Sequence, residues 1–224
     1  MLNFRHEWKH EISATDVLSL RQRLCAVMTP DKHSINGVYH SATMYFDTPT
    51  DLALQEKLNG VSFREKFRIR YYNGDPSVIF LEKKTKIGGV GTKDSVRVTA
   101  QEVQHLLARD LDWMCDPQRP LCQELRRRML TQGLAPKVIV YYTREAFTFA
   151  PGNVRVTLDY DIRAGLQCDD FLRPAPPTVP VQGNPILLEV KWDEFLPSIV
   201  RDAVQLDGRR TASFSKYAAC RAYG

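Results

Sequence analysis

Phe63 to Tyr72 reads FREKFRIRYY, and its alternation decides the fold. In a strand successive side chains point to opposite faces, so Arg64, Lys66, Arg68 and Arg70 share one side while Phe63, Phe67, Ile69 and Tyr71 share the other. Neighbours on one face stand about 7 Å apart. At an effective dielectric of about 20, each adjacent pair of cations then repels by about 2 kcal/mol. A row of this kind calls for an anion to offset it.

Working outward, the same alternation recurs. In RHEWKHEI (5–12), Arg5, Glu7, Lys9 and Glu11 share a face. FLEKKTK (80–86) sets Glu82, Lys84 and Lys86 against Leu81 and Lys83, and TKDSVRV (92–98) sets Lys93, Ser95 and Arg97 against Val96 and Val98. In NVRVTLDYDIR (153–163), Arg155, Thr157, Asp159, Asp161 and Arg163 oppose Val154, Val156, Leu158 and Tyr160, while LLEVKW (187–192) places Glu189 and Lys191 opposite Leu188, Val190 and Trp192. Any one such face is the ordinary wet side of an antiparallel sheet. Together they are richer in Arg and Lys than mixed solvent faces are, and many strands of this kind can close into a barrel with a charged interior.

Helix signals fall between and after the strands. Ser13 or Thr15 can cap a helix from Asp16 to Met28 with Val17, Leu20, Leu24 and Val27 as its apolar stripe, stopped at Thr29-Pro30. Between Gly37 and Val98 lie four strand-like runs joined by turns such as NGDPS and IGGVG. Helical patches at Gln101 to Arg109 and Leu121 to Gln132 follow, the second stopped by Gly133. Strands resume with KVIVYYTREAFTF and NVRVTLDYDIR, and the proline-rich RPAPPTVPVQGNP reads as a loop before PILLEVKW. Leu196 to Gln205 and Ala212 to Tyr223 read as closing helices. The prediction is an α+β fold, an antiparallel β-barrel of about eight strands with flanking helices, in one domain over residues 1–224.

The totals agree with a soluble globular chain: 224 residues, 43% hydrophobic, net charge +5. That charge suits anionic ligands without demanding nucleic acid, and no RNP-type pattern accompanies the tyrosines. No apolar run reaches the ~20 residues of a membrane span, and the start lacks a signal peptide's apolar segment, so a cytoplasmic location is expected. The five cysteines form no CxxC pair and fit reduced thiols. Neither a GxSxG nor a Walker-type loop is present.

A basic interior is costly when empty, and phosphate oxygens satisfy it, Arg bidentately and Lys as a point charge. Carboxylates among the cations suit Mg²⁺ or Mn²⁺, which bridge phosphate oxygens in phosphoryl transfer. Asp159 and Asp161, placed on one inner face, are candidates for that task or for pairing with Arg. Asp47, in YFDTP, reads as a turn former or a metal contact.

An ordered set of motifs then resembles one family. RHEWK, MYFDTPTDLALQEKLNGVSFREKFRIRYY, FLEKKTKIGGVGTK, YYTREAF, VRVTLDYDIR, LLEVKWDEFLP and SFSKYAACR are similar to the polyphosphate polymerase (VTC) domain, a branch of the CYTH-like triphosphate tunnel metalloenzymes. The resemblance implies a basic β-barrel tunnel that takes ATP and inorganic polyphosphate with Mn²⁺ or Mg²⁺, and passes the γ-phosphoryl group to the growing chain with release of ADP. By motif it implies Lys9, Arg68, Arg70, Lys84, Lys93, Arg144, Lys191 and Lys216 as phosphate ligands, with Arg64, Lys66, Arg97 and Ser215 as additions. It implies Glu189 as the metal-binding carboxylate, helped by Glu7 and Asp159, and a catalytic group of Arg68, Arg70, Lys84, Arg144 and Glu189. The chain departs from the superfamily's ExExK first strand, since Arg5 stands for the first acid, and the spacing leaves open which of Lys93 and Arg97 plays the role given to Lys93. Hydrolysis of tripolyphosphate or nucleoside triphosphate on the same fold, and polyanion binding without turnover, remain the alternatives.

Overall fold

The computed structural model describes residues 5–88, 90–206, 208 and 213–223. In chain order the elements are β1 (His6–Ile12), α1 (Ala14–Val27), β2 (Thr29–Pro30), β3 (Val38–Asp47), α2 (Leu52–Leu58), β4 (Arg64–Tyr72), β5 (Asp75–Ile87) and β6 (Val90–Val98). They continue with α3 (Ala100–Leu107), α4 (Pro120–Gln132), β7 (Ala135–Phe149), β8 (Val154–Gly165), β9 (Thr178–Pro180), β10 (Ile186–Trp192), α5 (Ser198–Ala203) and α6 (Lys216–Cys220). The fold is α+β, with an antiparallel sheet of eight strands in the order β1-β10-β8-β7-β3-β4-β5-β6; the short β2 and β9 join β7 and β8 off that path. Among the described residues the path is open, with β1 and β6 as its edges.

The chain divides into two compact units. The first comprises residues 1–40, 142–162 and 180–215, the second 41–141, 163–179 and 216–224. In the first, α1 begins at Ser13, whose side chain accepts from the Asp16 amide while Asp16 accepts from the Ser13 amide. Its apolar stripe, Val17, Leu20 and Leu24, packs on Val156, Leu158, Leu188 and Val190 from the outer faces of β8 and β10, and Val200 of α5 completes this core. Arg21 reaches Glu145 of β7 with both guanidinium arms, at 2.8 and 2.6 Å. In the second unit Phe67, Ile69 and Leu81, the apolar faces of β4 and β5, pack with Val103 and Leu106 of α3 and Leu125 of α4. Lys83, facing the helices as alternation requires, donates to Glu124 of α4 at 2.8 Å, and Arg128 of α4 bonds Glu65.

Several expected elements change at their ends. The helix expected from Gln101 to Arg109 runs Ala100–Leu107, behind a Thr99–Glu102 capping box, and α4 closes on Gly133 at φ 66, a left-handed stop that suits glycine. The closing helix read from Ala212 lies partly outside the described residues, and within them it is α6 plus a 3₁₀ turn at Arg221–Tyr223. The proline-rich stretch carries the short β9, held to β8 by Arg163 Nε donating to Thr178 at 2.8 Å. α2 has no counterpart in the sequence reading. Its first residue follows Asp51, which sits at φ 55 and does not cap it; the carboxylate of Asp47 accepts from the amides of Ala53 and Leu54 instead. Asp47 also accepts from the Thr48 amide and from the Tyr217 hydroxyl, so its oxygens are engaged in structure rather than offered to a metal.

Candidate functional site: two charged faces

In the second unit the register sets Arg68 of β4 opposite Tyr45 of β3 and Glu82 of β5, and Arg70 opposite Thr43 and Phe80. Lys66 lies opposite Lys84, Arg64 opposite Lys86, and Lys84 in turn opposite Lys93 of β6. One face therefore carries Arg64, Lys66, Arg68, Arg70, Lys84, Lys86 and Lys93 against two carboxylates, Glu82 and Asp47. Like charges set directly opposite destabilise a sheet, and here three such pairs stand together.

Glu82 binds the centre of that face. Arg68 holds one of its oxygens through Nε and Nη2, each at 2.7 Å, and Lys93 Nζ takes the other at 2.6 Å. Burial works to raise the Glu82 carboxyl, but Arg68, Arg70 and Lys93 outweigh it and hold the pKa at about 2. Arg70, buried, donates through Nε to Thr43 Oγ1 at 2.9 Å and lies over the Tyr72 ring. Lys66 sits over the ring of Tyr217 at 4.6 Å, and its ammonium is pushed down to about 8, chiefly by burial, against the pull of nearby Asp47 and with a further push from Arg64. Tyr217 also packs on Tyr45, so α6 borders this face.

The first unit presents a different balance. Its register sets Lys9 of β1 opposite Glu189 of β10, and Glu189 opposite Thr157 of β8; Glu7 lies opposite Lys191, and Lys191 opposite Arg155. Glu189 and Asp159 are buried. Arg144 of β7 grips Asp159 with Nε at 2.5 Å and Nη2 at 2.6 Å, and its Nη2 is 3.8 Å from Glu189. Lys191 bonds Glu189, and Lys9 bonds Glu7 at 3.0 Å. Three cations thus meet three carboxylates. Burial alone would raise the Glu189 carboxyl, but Lys191, Lys9 and Arg144 pull it well below the usual range. Burial likewise works against the charges of Lys9 and Arg144, yet their carboxylate neighbours hold both above their ordinary values.

The sequence-predicted residues therefore fall into two groups. Arg64, Lys66, Arg68, Arg70, Lys84 and Lys93 lie on the face of β4 to β6, and Glu7, Lys9, Arg144, Asp159, Glu189 and Lys191 on the face of the first unit. Arg97 follows the right alternation, but its exposed guanidinium donates to the Ser77 carbonyl at 2.9 Å, beside a cavity of about 450 Å³ that Glu102 and Arg119 also line. Between the two cations left open by spacing, Lys93 is the one bound into the Glu82 cluster. Ser215 precedes α6 and Lys216 opens it. Asp161 corrects the expectation of a shared inner face: a φ of 49 breaks the alternation of β8 there, and the side chain is exposed while Asp159 is buried. Arg5, standing where the first acid was expected, pairs with Asp193 at 2.8 Å. Thr43 and Tyr217 have no place in the sequence reading, and Tyr45 and Tyr72, which it assigns to barrel packing, lie beside Arg68 and Arg70; the β3–β4 register is what brings Thr43 and Tyr45 to them.

A hard divalent ion asks for carboxylate oxygens, completed by water and phosphate. Among the described residues no group of three or more His, Cys, Asp and Glu side chains is placed to hold one. Asp159 has both oxygens taken by Arg144. Glu7 and Glu189, by contrast, are diagonal neighbours in the β1–β10 pair, and two oxygen donors side by side fit Mg²⁺ or Mn²⁺ shared with phosphate.

Residues 4–223 match the VTC domain model, and the chain belongs to that family. No curated protein matches it significantly. Among solved structures it is similar to a protein of Bacillus halodurans named as a candidate adenylate cyclase, at 14% identity and a TM-score of 0.48 over 84% of this chain and 81% of that one. It is also similar to the PH1819 and PH1012 proteins of Pyrococcus horikoshii OT3, each at 14% identity and a TM-score of 0.44. These cover 89% of this chain, and 84% and 85% of theirs. Among the described residues no helix is long and apolar enough to cross a membrane.

Proposed function

We propose that the chain is a polyphosphate polymerase that transfers the γ-phosphoryl group of ATP to a growing polyphosphate chain and releases ADP. The observation that carries this reading is the excess of cations on the face of β4, β5 and β6, where Arg64 opposes Lys86 and Lys84 opposes both Lys66 and Lys93. A run of phosphates is the ligand that offsets such a row at every step.

Arg68 and Arg70 are held in place by Glu82 and Thr43, so their guanidinium groups meet phosphate oxygens already oriented. Lys84 and Lys93 add point charges along the same face. In the first unit Arg144 is fixed by Asp159, and Lys9 and Lys191 stand with Glu7 and Glu189. The latter two would hold Mg²⁺ or Mn²⁺, which would supply charge stabilisation on phosphate oxygens. Phosphoryl transfer passes through a loose transition state whose charge lies on equatorial oxygens, so positioned cations suffice without a covalent nucleophile. The acceptor is a phosphate oxygen ionised near neutral pH, so the chain needs no strong general base.

The test is to incubate the purified protein with ATP and Mn²⁺ or Mg²⁺ and resolve the products by gel and phosphorus NMR. Long-chain phosphate with ADP is the expected result. ADP with orthophosphate alone would make the protein a hydrolase, and tight triphosphate binding without turnover would make it a polyanion-binding module.

A further inference from the structure

Thr157 lies at the centre of the first unit's charged face and does nothing visible there. It is directly opposite Glu189 in the β8–β10 pair, the residue is 97% buried, and among the described residues its hydroxyl has no hydrogen-bond partner. The neighbours on its own strand, Val156 and Leu158, are apolar and point into the core. A valine would fill the same volume without burying an unpaired hydroxyl, so the group carries a cost that packing does not explain.

The position supplies a reason. Directly opposite residues of an antiparallel pair have Cβ atoms about 4.5–5.5 Å apart, so one rotation about the Thr157 Cα–Cβ bond brings the hydroxyl within reach of the carboxylate. Glu189 is held by Lys191 and lies beside Lys9 and Arg144. Both lysines stand on flexible stems, and a bound triphosphate competes for them. Arg144 stays with Asp159, whose oxygens it grips twice. Once the lysines turn, a buried carboxylate is short of donors.

We propose that Thr157 Oγ1 is a reserve donor for Glu189, which takes the carboxylate and keeps its orientation when phosphate draws Lys9 and Lys191 away. Thr157 is thus a positioning residue that acts through Glu189, and the inference rests on the phosphate-binding reading above. It explains why a polar side chain sits unpaired beside six charged ones. A hydroxyl suits the task because it rotates, whereas a third lysine there would add a permanent charge.

The experiment is calorimetric titration of tripolyphosphate, with and without Mn²⁺, into the wild type, Thr157→Val and Thr157→Ser, alongside thermal melts without ligand. Thr157→Val is expected to melt at or above the wild-type temperature and to bind about tenfold more weakly, with Thr157→Ser close to wild type. In a Glu189→Gln background, where the acceptor has lost its charge, the same Thr157→Val change is expected to cost about threefold or less. Unchanged affinity in Thr157→Val overturns the proposal. An equal loss in both backgrounds also overturns it, by making phosphate rather than Glu189 the partner. A wild type that binds no tripolyphosphate removes the phosphate reading itself, whatever the variants do.

Discussion

The charged face of β4, β5 and β6 and that of β1, β10 and β8 arise from the same device, alternation with charged residues on one side. They balance oppositely. On the first, seven basic residues meet Glu82 and Asp47, and Asp47 is occupied with the start of α2. On the second, Lys9, Lys191 and Arg144 meet Glu7, Glu189 and Asp159. A surplus of cations attracts anions without assistance, whereas a neutral lattice of buried pairs holds its members in place until something displaces them. Under the proposed function the difference would divide the work, one face gathering phosphate and the other positioning carboxylates and cations for chemistry.

The most forceful way to break this division is Glu189→Gln. Removing one partner from a buried charge cluster costs about 3–5 kcal/mol, so the melting temperature should fall by roughly 10 °C or more. Turnover should drop about a hundredfold or further, as for other lost electrostatic groups, while metal-free tripolyphosphate affinity is kept or improved. Loss of that affinity in a folded variant would show the faces are not separate in role.

Glu82→Gln probes the other face. It strips Arg68 and Lys93 of their shared acid, so the variant should melt lower yet bind tripolyphosphate about tenfold more tightly, since charged hydrogen bonds of about 1.5 kcal/mol become available to phosphate. The wild type should also lose stability in acid. A carboxyl held at about 2 when folded, against 4.5 ordinarily, contributes stability above pH 4.5 that disappears as pH falls from 4.5 toward 2. Melts between pH 6 and pH 2 should fall less steeply for Glu82→Gln.

A smaller effect attaches to Lys66. Its folded pKa of about 8 lies below the ordinary 10.5, so the folded protein bears the cost of the buried ammonium below pH 8 and is relieved of it as pH rises from 8 to 10.5. Lys66→Met should therefore melt higher at pH 7, with the gain shrinking over that interval. Tripolyphosphate affinity in the wild type should weaken above pH 8, and this component of the pH dependence should vanish in Lys66→Met. The smallest effect is expected of Arg97→Ala, whose guanidinium lies with the Ser77 carbonyl at the strand edge; affinity should stay within about twofold. A tenfold loss would extend the proposed phosphate-binding face along β6 from Lys93 to Arg97.

Much of this was legible in the residues. FREKFRIRYY placed Arg68 and Arg70 on one face because burial on the opposite side pins the register, and Lys83 and Glu65 point the other way toward α4 as alternation requires. What stayed hidden depended on distant partners. α2 takes its cap from Asp47 rather than from its own first residues. Asp161 leaves the inner face through a single left-handed φ that no local composition announces. The division into two units falls within β3, β7 and β8, where a linker signal has no place, as well as in β9 inside the proline-rich stretch that reads as a loop, and just before α6. Above all, alternation assigns side chains to a face but not charges to partners, so the neutral lattice around Glu189 and the surplus around Arg70 looked alike in sequence.

The decisive measurement is metal-free calorimetric titration of tripolyphosphate into Arg70→Met and Lys191→Met. The division of roles predicts that Arg70→Met loses about tenfold or more in affinity, while Lys191→Met, whose ammonium must give up Glu189 before it can meet phosphate and so gains little on balance, stays within about threefold. Equal losses, or a larger one in Lys191→Met, would contradict it.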